Sequence, residues 1–379
     1  MTTMKILCLL WLSAWSAVQA ANPALSGATV LPLLPPGPGN PRNTEGSFVA
    51  LRDGRILFAY SHFTGGGDDN DAATIAGRFS SDGGRTWSTT DVPIVAREGD
   101  MNVMSVSLLR LRDGRIALFY ARKNSISDCR PYLRYSTDEA RTWSDPILTV
   151  PDDGYFVLNN DRVIQLRNGR LLVPVALHPT INGQFGSRGI SMTYYSDDAG
   201  KTWRRSRNTL EAPTATRAGL QEPGVVELKD GSVLMFMRTQ LGSQYLSRSR
   251  DGGESWSAPE PSHIASPLSP ASIKRIPRTG DLLMVWNDHS GIDPSFRSSE
   301  TSGGKRTPLS VAISKDEGAT WTHVHNLRDD PDGWYCYTAI YFTGPRVLLG
   351  FVDGGHGLPH LSRTSIAWFD VKQLYRTKK

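Results

Sequence analysis

Ser80-Ser-Asp-Gly-Gly-Arg-Thr-Trp87 decides the fold, because the chain writes this phrase five times. The other copies are Ser136-Thr-Asp-Glu-Ala-Arg-Thr-Trp143, Ser196-Asp-Asp-Ala-Gly-Lys-Thr-Trp203, Ser249-Arg-Asp-Gly-Gly-Glu-Ser-Trp256 and Ser314-Lys-Asp-Glu-Gly-Ala-Thr-Trp321. Their starts lie 56, 60, 53 and 65 residues apart, and only the second copy lacks the glycine. Self-similarity at such a spacing marks a repeat architecture. Within each box the Asp and the Ser or Thr are suited to bonding turn amides, and the Trp to packing between units. The boxes therefore read as structural staples, although they contain the most conspicuous aspartates.

A second punctuation runs in phase with the first. Asp53-Gly54, Asp113-Gly114, Asn168-Gly169, Asp230-Gly231, Thr279-Gly280 and Thr343-Gly344 each separate two β-rich runs, as hairpin turns do. Each of the first five is followed by a box between two further short strands. The unit is thus four antiparallel strands, and six hairpins predict six such units. Four-stranded units repeated radially are the blades of a β-propeller, so the expected fold is all-β, a six-bladed β-propeller that has lost its last box. Residues 21–379 would form this one domain.

The first twenty residues read as a signal peptide. Lys5 precedes the apolar run Ile6 to Val18, and Val18-Gln19-Ala20 supplies small residues for cleavage. Nothing later is long and apolar enough to span a bilayer, so the expectation is a secreted or periplasmic protein. Of three cysteines, Cys8 would leave with the signal, and Cys129 and Cys336 are too few for a disulfide scaffold, with their pairing left open. The net charge of +5 is scattered, without a basic run, which argues against a nucleic-acid partner and for an acidic ligand. The histidines lack metal-ligand spacing, and Gly65 to Asp71 matches a calcium loop only in composition. No metal or other cofactor is expected.

Strand direction assigns faces. Each first strand descends from the top to its hairpin turn, the second climbs back and the third descends to the box, so turns and boxes share the bottom. Functional groups should collect at the top. Eight residues before the turns stand Glu45, Ser105, Asn160, Glu222, Ala271 and Tyr335, a largely polar ring at the mouth of the central channel. Arg238 lies eight residues after Asp230, which returns it to the level of Glu222, and Arg306 lies eight before Ser314, at the top of a third strand. Asp68 and Asp69 occupy a glycine-rich loop of the first blade. Arg122, Lys123, Arg130, Arg162, Lys274 and Arg275 are assigned to the top as well. Many cations with a few carboxylates suit a small anionic ligand held by guanidinium–carboxylate pairs.

Over residues 40–370 the chain resembles the sialidase (neuraminidase) superfamily, in its repeated boxes and in three segments. "QEPGVVELKDGSVLMFMR" is similar to the family segment holding the glutamate partner of the nucleophile and the second arginine of a carboxylate-binding triad, which implies those roles for Glu222 and Arg238. "RTPLSVAISKDEGATW" resembles the third-arginine segment, which implies Arg306. "WYCYTAIYFTG" resembles the segment of the nucleophilic tyrosine, and the eight-residue distance to the turn selects Tyr335 over Tyr337. The acid/base aspartate is implied in the first-blade loop, on Asp69 or Asp68, its pKa raised by desolvation. One signature departs from the family: the Arg-Ile-Pro arginine would fall on Thr44, and the nearest candidate is Arg42, with Glu45 beside it. Asn160 and Arg162, in "YFVLNNDRVIQL", belong to no segment carried over from the family and are assigned to substrate binding by position.

The resemblance implies an exo-acting glycoside hydrolase that removes a terminal acidic sugar, sialic acid foremost, from a glycan with retention through a tyrosine nucleophile. Two alternatives stay open: a propeller enzyme of this kind acting on another terminal sugar next to a uronate, and a non-catalytic glycan-binding propeller.

Overall fold

In the computed structural model, which describes residues 22–213, 216–299 and 302–376, antiparallel sheets follow one another along the chain. The expected signal peptide lies outside the described residues. Among the described residues no helix is long and apolar enough to cross a membrane.

Blade one is Arg42–Ala50, Ile56–Phe63, Ala73–Ser80 and Val92–Val95; blade two is Asn102–Arg110, Ile116–Lys123, Cys129–Ser136 and Ile147–Leu148. In blade three the inner strand is broken into Tyr155–Val157 and Ile164–Gln165, both paired with Leu171–His178, and Ile190–Ser196 and Arg204–Arg205 complete it. Blade four is Gln221–Glu227, Val233–Arg238, Ser243–Ser249 and Glu260–Ala265; blade five is Ser272–Arg275, Leu282–Asn287, Leu309–Ser314 and Thr322–Arg328. Blade six takes Gly333–Thr343, Arg346–Gly355 and Thr364–Asp370 from the end of the chain and its outer strand, Thr29–Leu34, from the beginning. These are the blades of a six-bladed β-propeller. A single pairing, Tyr155 with Cys129, joins blades two and three.

The core is distributed between blades. Leu57 and Leu118 share one cluster, Phe119 and Val173 the next, and the last joins Phe48 and Phe58 of blade one to Leu348 and Ile366 of blade six. Each box Trp packs on one of these seams: Trp87, Trp143, Trp203, Trp256 and Trp321 meet five different clusters. The boxes repeat one bonding pattern. Ser80 Oγ donates to Asp82 and accepts from the Gly84 amide at 2.8 Å, while Asp82 accepts from the Thr86 amide and hydroxyl. The same bonds recur around Asp138, Asp198, Asp251 and Asp316. Where the second copy has Ala140 for glycine, the backbone keeps the left-handed conformation, φ 63°, at a steric cost of about 1–2 kcal/mol.

The inner strands share a device that matters for function. Pairing lapses over Glu45-Gly46, Ser105-Val106, Glu222-Pro223 and Tyr337-Thr338, and the first residue of each lapse has positive φ, 45–62°. Such bulges turn side chains and backbone carbonyls toward the channel, and non-glycine residues are held there only under constraint. The hairpin tips explain why Tyr335 was selected in place of Tyr337. In blade one the pairing ends at Ala50–Ile56, leaving Leu51 to Arg55 as the tip. In blade six it runs on to Thr343–Arg346, leaving only Gly344 and Pro345. With the shorter tip, the residue equivalent to Glu45 lies six before Thr343, and that residue is Tyr337.

Candidate active site

The bulges converge on a cavity of about 310 Å³ at the end of the strands away from the hairpin turns and boxes. Glu45, Asp69, Lys123, Glu222, Arg238, Arg306 and Tyr337 all line it. Tyr337 Oη donates to Glu222 Oε1 at 3.1 Å, and Arg238 Nη1 makes an ion pair with Glu222 Oε2 at 2.7 Å. Burial alone would push the Glu222 carboxyl up, but Arg238 and Arg306, with a smaller contribution from Arg162, hold it below its usual value. The Tyr337 phenol is pushed up by burial and by the Glu222 charge, against the opposing pull of Arg306 and Arg238. Tyr337 is therefore a neutral hydroxyl facing an ionised carboxylate, the arrangement in which a base can take the proton as the oxygen attacks.

Tyr335 stands elsewhere. It is fully buried among Leu309, Val311 and Phe351, and its hydroxyl meets His356 Nε2 at 3.2 Å. Alternation along the strand sends Tyr335 and Tyr337 different ways once the bulge intervenes.

Arg306 is 8% exposed, its Nη1 has no hydrogen-bond partner, and no carboxylate lies within ion-pair distance of it among the described residues. Its guanidinium carbon lies 5.2 Å from the Trp334 ring and 5.4 Å from the Tyr337 ring. A buried cation without a counter-ion is costly, and beside a cavity it is a standing demand for an anion.

Arg42 differs. It is 1% exposed behind the cavity wall, over the Phe63 ring, with Nη1 on Asp69 Oδ1 at 2.6 Å and Nη2 on Glu45 Oε1 at 3.1 Å. Its charge is already committed to two carboxylates of the protein, and it is not among the residues that line the cavity. The first-blade loop is fastened by Asn102 Nδ2, which donates to the carbonyls of Asp69 and Asp71 at 2.9 and 2.8 Å, and by Lys123 Nζ on the Asp69 carbonyl at 2.5 Å. This brings Asp69 to the cavity, while Asp68 is exposed and its amide bonds Asp71. The desolvation expected to raise Asp69 is outweighed by Arg42 and Lys123, which lower it. Glu45 is the raised carboxyl: burial pushes it up more than Arg42 pulls it down, and Ser105 Oγ donates to it.

Two residues assigned to the mouth lie beneath it. The Asn160 side chain is fully buried and bonds the carbonyls of Gly46 and Tyr337. Arg162, 3% exposed, sits under the floor with its guanidinium carbon 5.3 Å from the Phe236 ring and Nη1 3.5 Å from Ser272 Oγ. A further cavity, about 400 Å³ and walled by Val225, Phe236 and Ile273, reaches Arg162. The counting failed here because the inner strand of blade three is interrupted between Val157 and Ile164. Lys274 and Arg275 also leave the top: Lys274 pairs with Asp161 inside the channel, and Arg275 pairs with Glu317 in the fifth box. Cys129 and Cys336 are buried, unpaired thiols.

Sequence reasoning missed the aromatic wall. Tyr155, His178 and Phe185 line one side of the cavity, with Phe185 carried on the short hairpin Thr180–Ile181/Gln184–Phe185 and stacked on His178 at 5.0 Å. The only signal was that His178 ends a climbing strand, and so reaches the top.

Residues 54–347 match the family described as BNR repeat-like domain. The chain is similar to a sialidase of Micromonospora viridifaciens, 29% identical over 366 residues covering 81% of this chain and 51% of that protein. It is also similar to an anhydrosialidase of Macrobdella decora, 28% identical over 301 residues covering 72% and 36%. The chain thus spans about half the length, or less, of these relatives. Among solved structures, Trypanosoma rangeli sialidase superposes with a TM-score of 0.69 at 15% identity, over 92% of this chain and 60% of that one. A protein of unknown function from Dyadobacter fermentans superposes with a TM-score of 0.69 at 19% identity, over 90% of this chain and 99% of that one.

Proposed function

Because the chain belongs to the family of BNR repeat-like domains, and because of what its cavity contains, we propose that it is an exo-acting glycoside hydrolase that removes a terminal sialic acid from a glycan. The observation that carries this reading is the Tyr337–Glu222–Arg238 chain beside the unpaired Arg306. The sialidase relatives support the substrate class.

Charge explains the choice of groups. The anomeric carbon of a sialoside bears a carboxylate, which repels an anionic nucleophile, and the sialidases are the tyrosine exception among glycosidases. Arg306 and Arg238 hold the substrate carboxylate. Tyr337 Oη bonds to the anomeric carbon as the bond to the leaving oxygen breaks, and the phenol proton passes to Glu222. The leaving oxygen takes its proton from the carboxyl pair bridged by Arg42. Asp69, whose side chain is 63% exposed, faces the leaving group and gives that proton, and Glu45 lies behind it on the other side of Arg42. Water then attacks the same carbon and gives a proton back to the Asp69 carboxylate, the bond to Tyr337 breaks, and Glu222 returns the phenol proton. Two displacements at one carbon give net retention.

A second reading has one observation in its favour. Arg42 is spent on Asp69 and Glu45, which leaves two arginines lining the cavity and the Glu45 carboxyl next to Thr44, the position where the first arginine is expected. A terminal sugar next to a uronate, with its carboxylate placed differently, fits that asymmetry. Product analysis on sialosides and on uronate-capped glycans separates the two: release of free sialic acid supports the first, and cleavage of uronate-capped glycans alone replaces it with the second.

A further inference from the structure

Asn160 and Asp161 are taken up by none of the chemistry above, yet blade three places them directly under the bulge that carries Tyr337. A bulge releases backbone groups from their strand partners, and buried groups so released need new ones. The carbonyls of Tyr337 and Thr338 are not bonded within blade six, where pairing lapses between Cys336 and Ala339. The Tyr337 carbonyl accepts from Asn160 Nδ2 at 3.1 Å, and the same nitrogen donates to the Gly46 carbonyl of the blade-one bulge at 2.8 Å. The Thr338 carbonyl accepts from Ser272 Oγ at 2.6 Å. Two residues further on, the Ile340 amide donates to Asp161 Oδ2 at 2.9 Å, and the Ile340 carbonyl accepts from Lys274 Nζ at 2.9 Å. Asp161 Oδ1 receives both Lys274 Nζ and Ser47 Oγ.

We propose that Asn160 is a positioning residue for Tyr337, the centre of a cross-channel clamp, completed by Asp161 and Ser272, that holds the Tyr337 bulge and aims its hydroxyl at Glu222. The role of the hydroxyl rests on the hydrolase reading; the clamp itself does not. Three features argue for a dedicated device. Asn160 has no exposure to the cavity, so it acts through the backbone of Tyr337 and not on substrate. Tyr337 sits at φ 52°, a conformation that a tyrosine keeps only where its surroundings over-determine it. The clamp also bonds the bulges of Glu45 and Tyr337 with one amide, so two carriers of cavity side chains are set relative to each other across the channel, not through neighbours in one sheet.

The test is Asn160→Ala, read by crystal structure and by kinetics on a fluorogenic sialoside. The structure should show Tyr337 Oη displaced from Glu222 Oε1, beyond hydrogen-bond reach. kcat should fall by about 100-fold, the loss that follows a displacement of about 1 Å at a reacting group, while KM changes less than about threefold. Thr193→Val is the control: it removes two buried bonds between blades three and four, the donation of Thr193 Oγ1 to the Gly253 carbonyl and its acceptance from Trp256 Nε1, and should lower the melting temperature without changing kcat. Retention of the Tyr337–Glu222 bond in Asn160→Ala overturns the proposal, as does displacement of Tyr337 with kcat unchanged. If the wild type turns over no sialoside, the hydrolase reading fails, and the crystal structure alone decides the clamp. Should Asn160→Ala not fold, Ser272→Ala, which frees the Thr338 carbonyl, carries the same two readouts.

Discussion

Replacing Tyr337 by Phe removes one oxygen from the centre of the site, and its consequences can be worked from the contacts. The lost bond is the 3.1 Å donation to Glu222. A hydrogen bond to a charged group contributes about 1.5–3 kcal/mol, but Glu222 keeps its 2.7 Å pair with Arg238, so the fold should lose no more than about 2 kcal/mol. Arg306 is untouched, and a substrate carboxylate should bind nearly as before. Turnover is another matter: without the hydroxyl proposed as the nucleophile, kcat should drop by at least about 10³-fold, equivalent to about 4 kcal/mol of barrier. Tyr335→Phe makes the matched control, since it deletes the same atom two residues away. It loses one bond, to His356, a cost of about 1 kcal/mol, and should leave kcat unchanged. The assay is hydrolysis of a fluorogenic sialoside, with thermal melting of each variant alongside. Loss of turnover in Tyr335→Phe with Tyr337→Phe active would refute the reasoning, since it would place the reacting hydroxyl outside the cavity.

Arg306→Ala should lower kcat/KM by about 100-fold, chiefly through KM, because truncating one partner of a desolvated charge pair costs about 3 kcal/mol; steady-state kinetics check it. Arg42→Ala should act through proton chemistry instead. Arg42 lowers both Asp69 and Glu45, so its removal raises both, and the alkaline limb of the kcat–pH profile should move to higher pH. Acid should weaken the fold through the boxes. Asp82, Asp138 and Asp316 are held at about 2, against a usual 3.8, chiefly by bonds from Thr amides and hydroxyls. A depressed folded-state value stabilises above the unfolded pKa and is lost as pH falls through the folded one, so the melting temperature should fall between pH 4 and pH 2, and Asp138→Asn should flatten that fall.

Much of the fold was legible because its signals are local. A Ser, an Asp and a Thr at fixed offsets bond their own turn, and Asp-Gly pairs close their own hairpins, so neither needs knowledge of distant chain. Glu222 and Arg238 were placed by the same logic, flanking one five-residue tip. Tyr337 was missed because counting from a turn assumes equal tips, and the last hairpin closes over Gly344 and Pro345 alone. Asn160 and Arg162 were misplaced because a broken inner strand loses its register. The commitment of Arg42 to Asp69 depends on a loop 27 residues away folding back over the mouth, which no periodicity records. The bulges themselves leave no residue-type signature: Glu45, Ser105, Glu222 and Tyr337 share a backbone conformation but not a side-chain type.

The central claim is that Tyr337 bonds covalently to the sugar. Incubation with 2,3-difluorosialic acid, followed by digestion and mass mapping, tests it most directly, because the C3 fluorine slows both steps while fluoride leaves readily from C2, so the glycosyl intermediate forms and then persists. The account predicts one added 3-fluorosialosyl mass on the peptide containing Tyr337, absent from Tyr337→Phe and present in Tyr335→Phe. Label on Tyr335 or on a carboxylate, or an unlabelled protein that still hydrolyses sialosides, would contradict it.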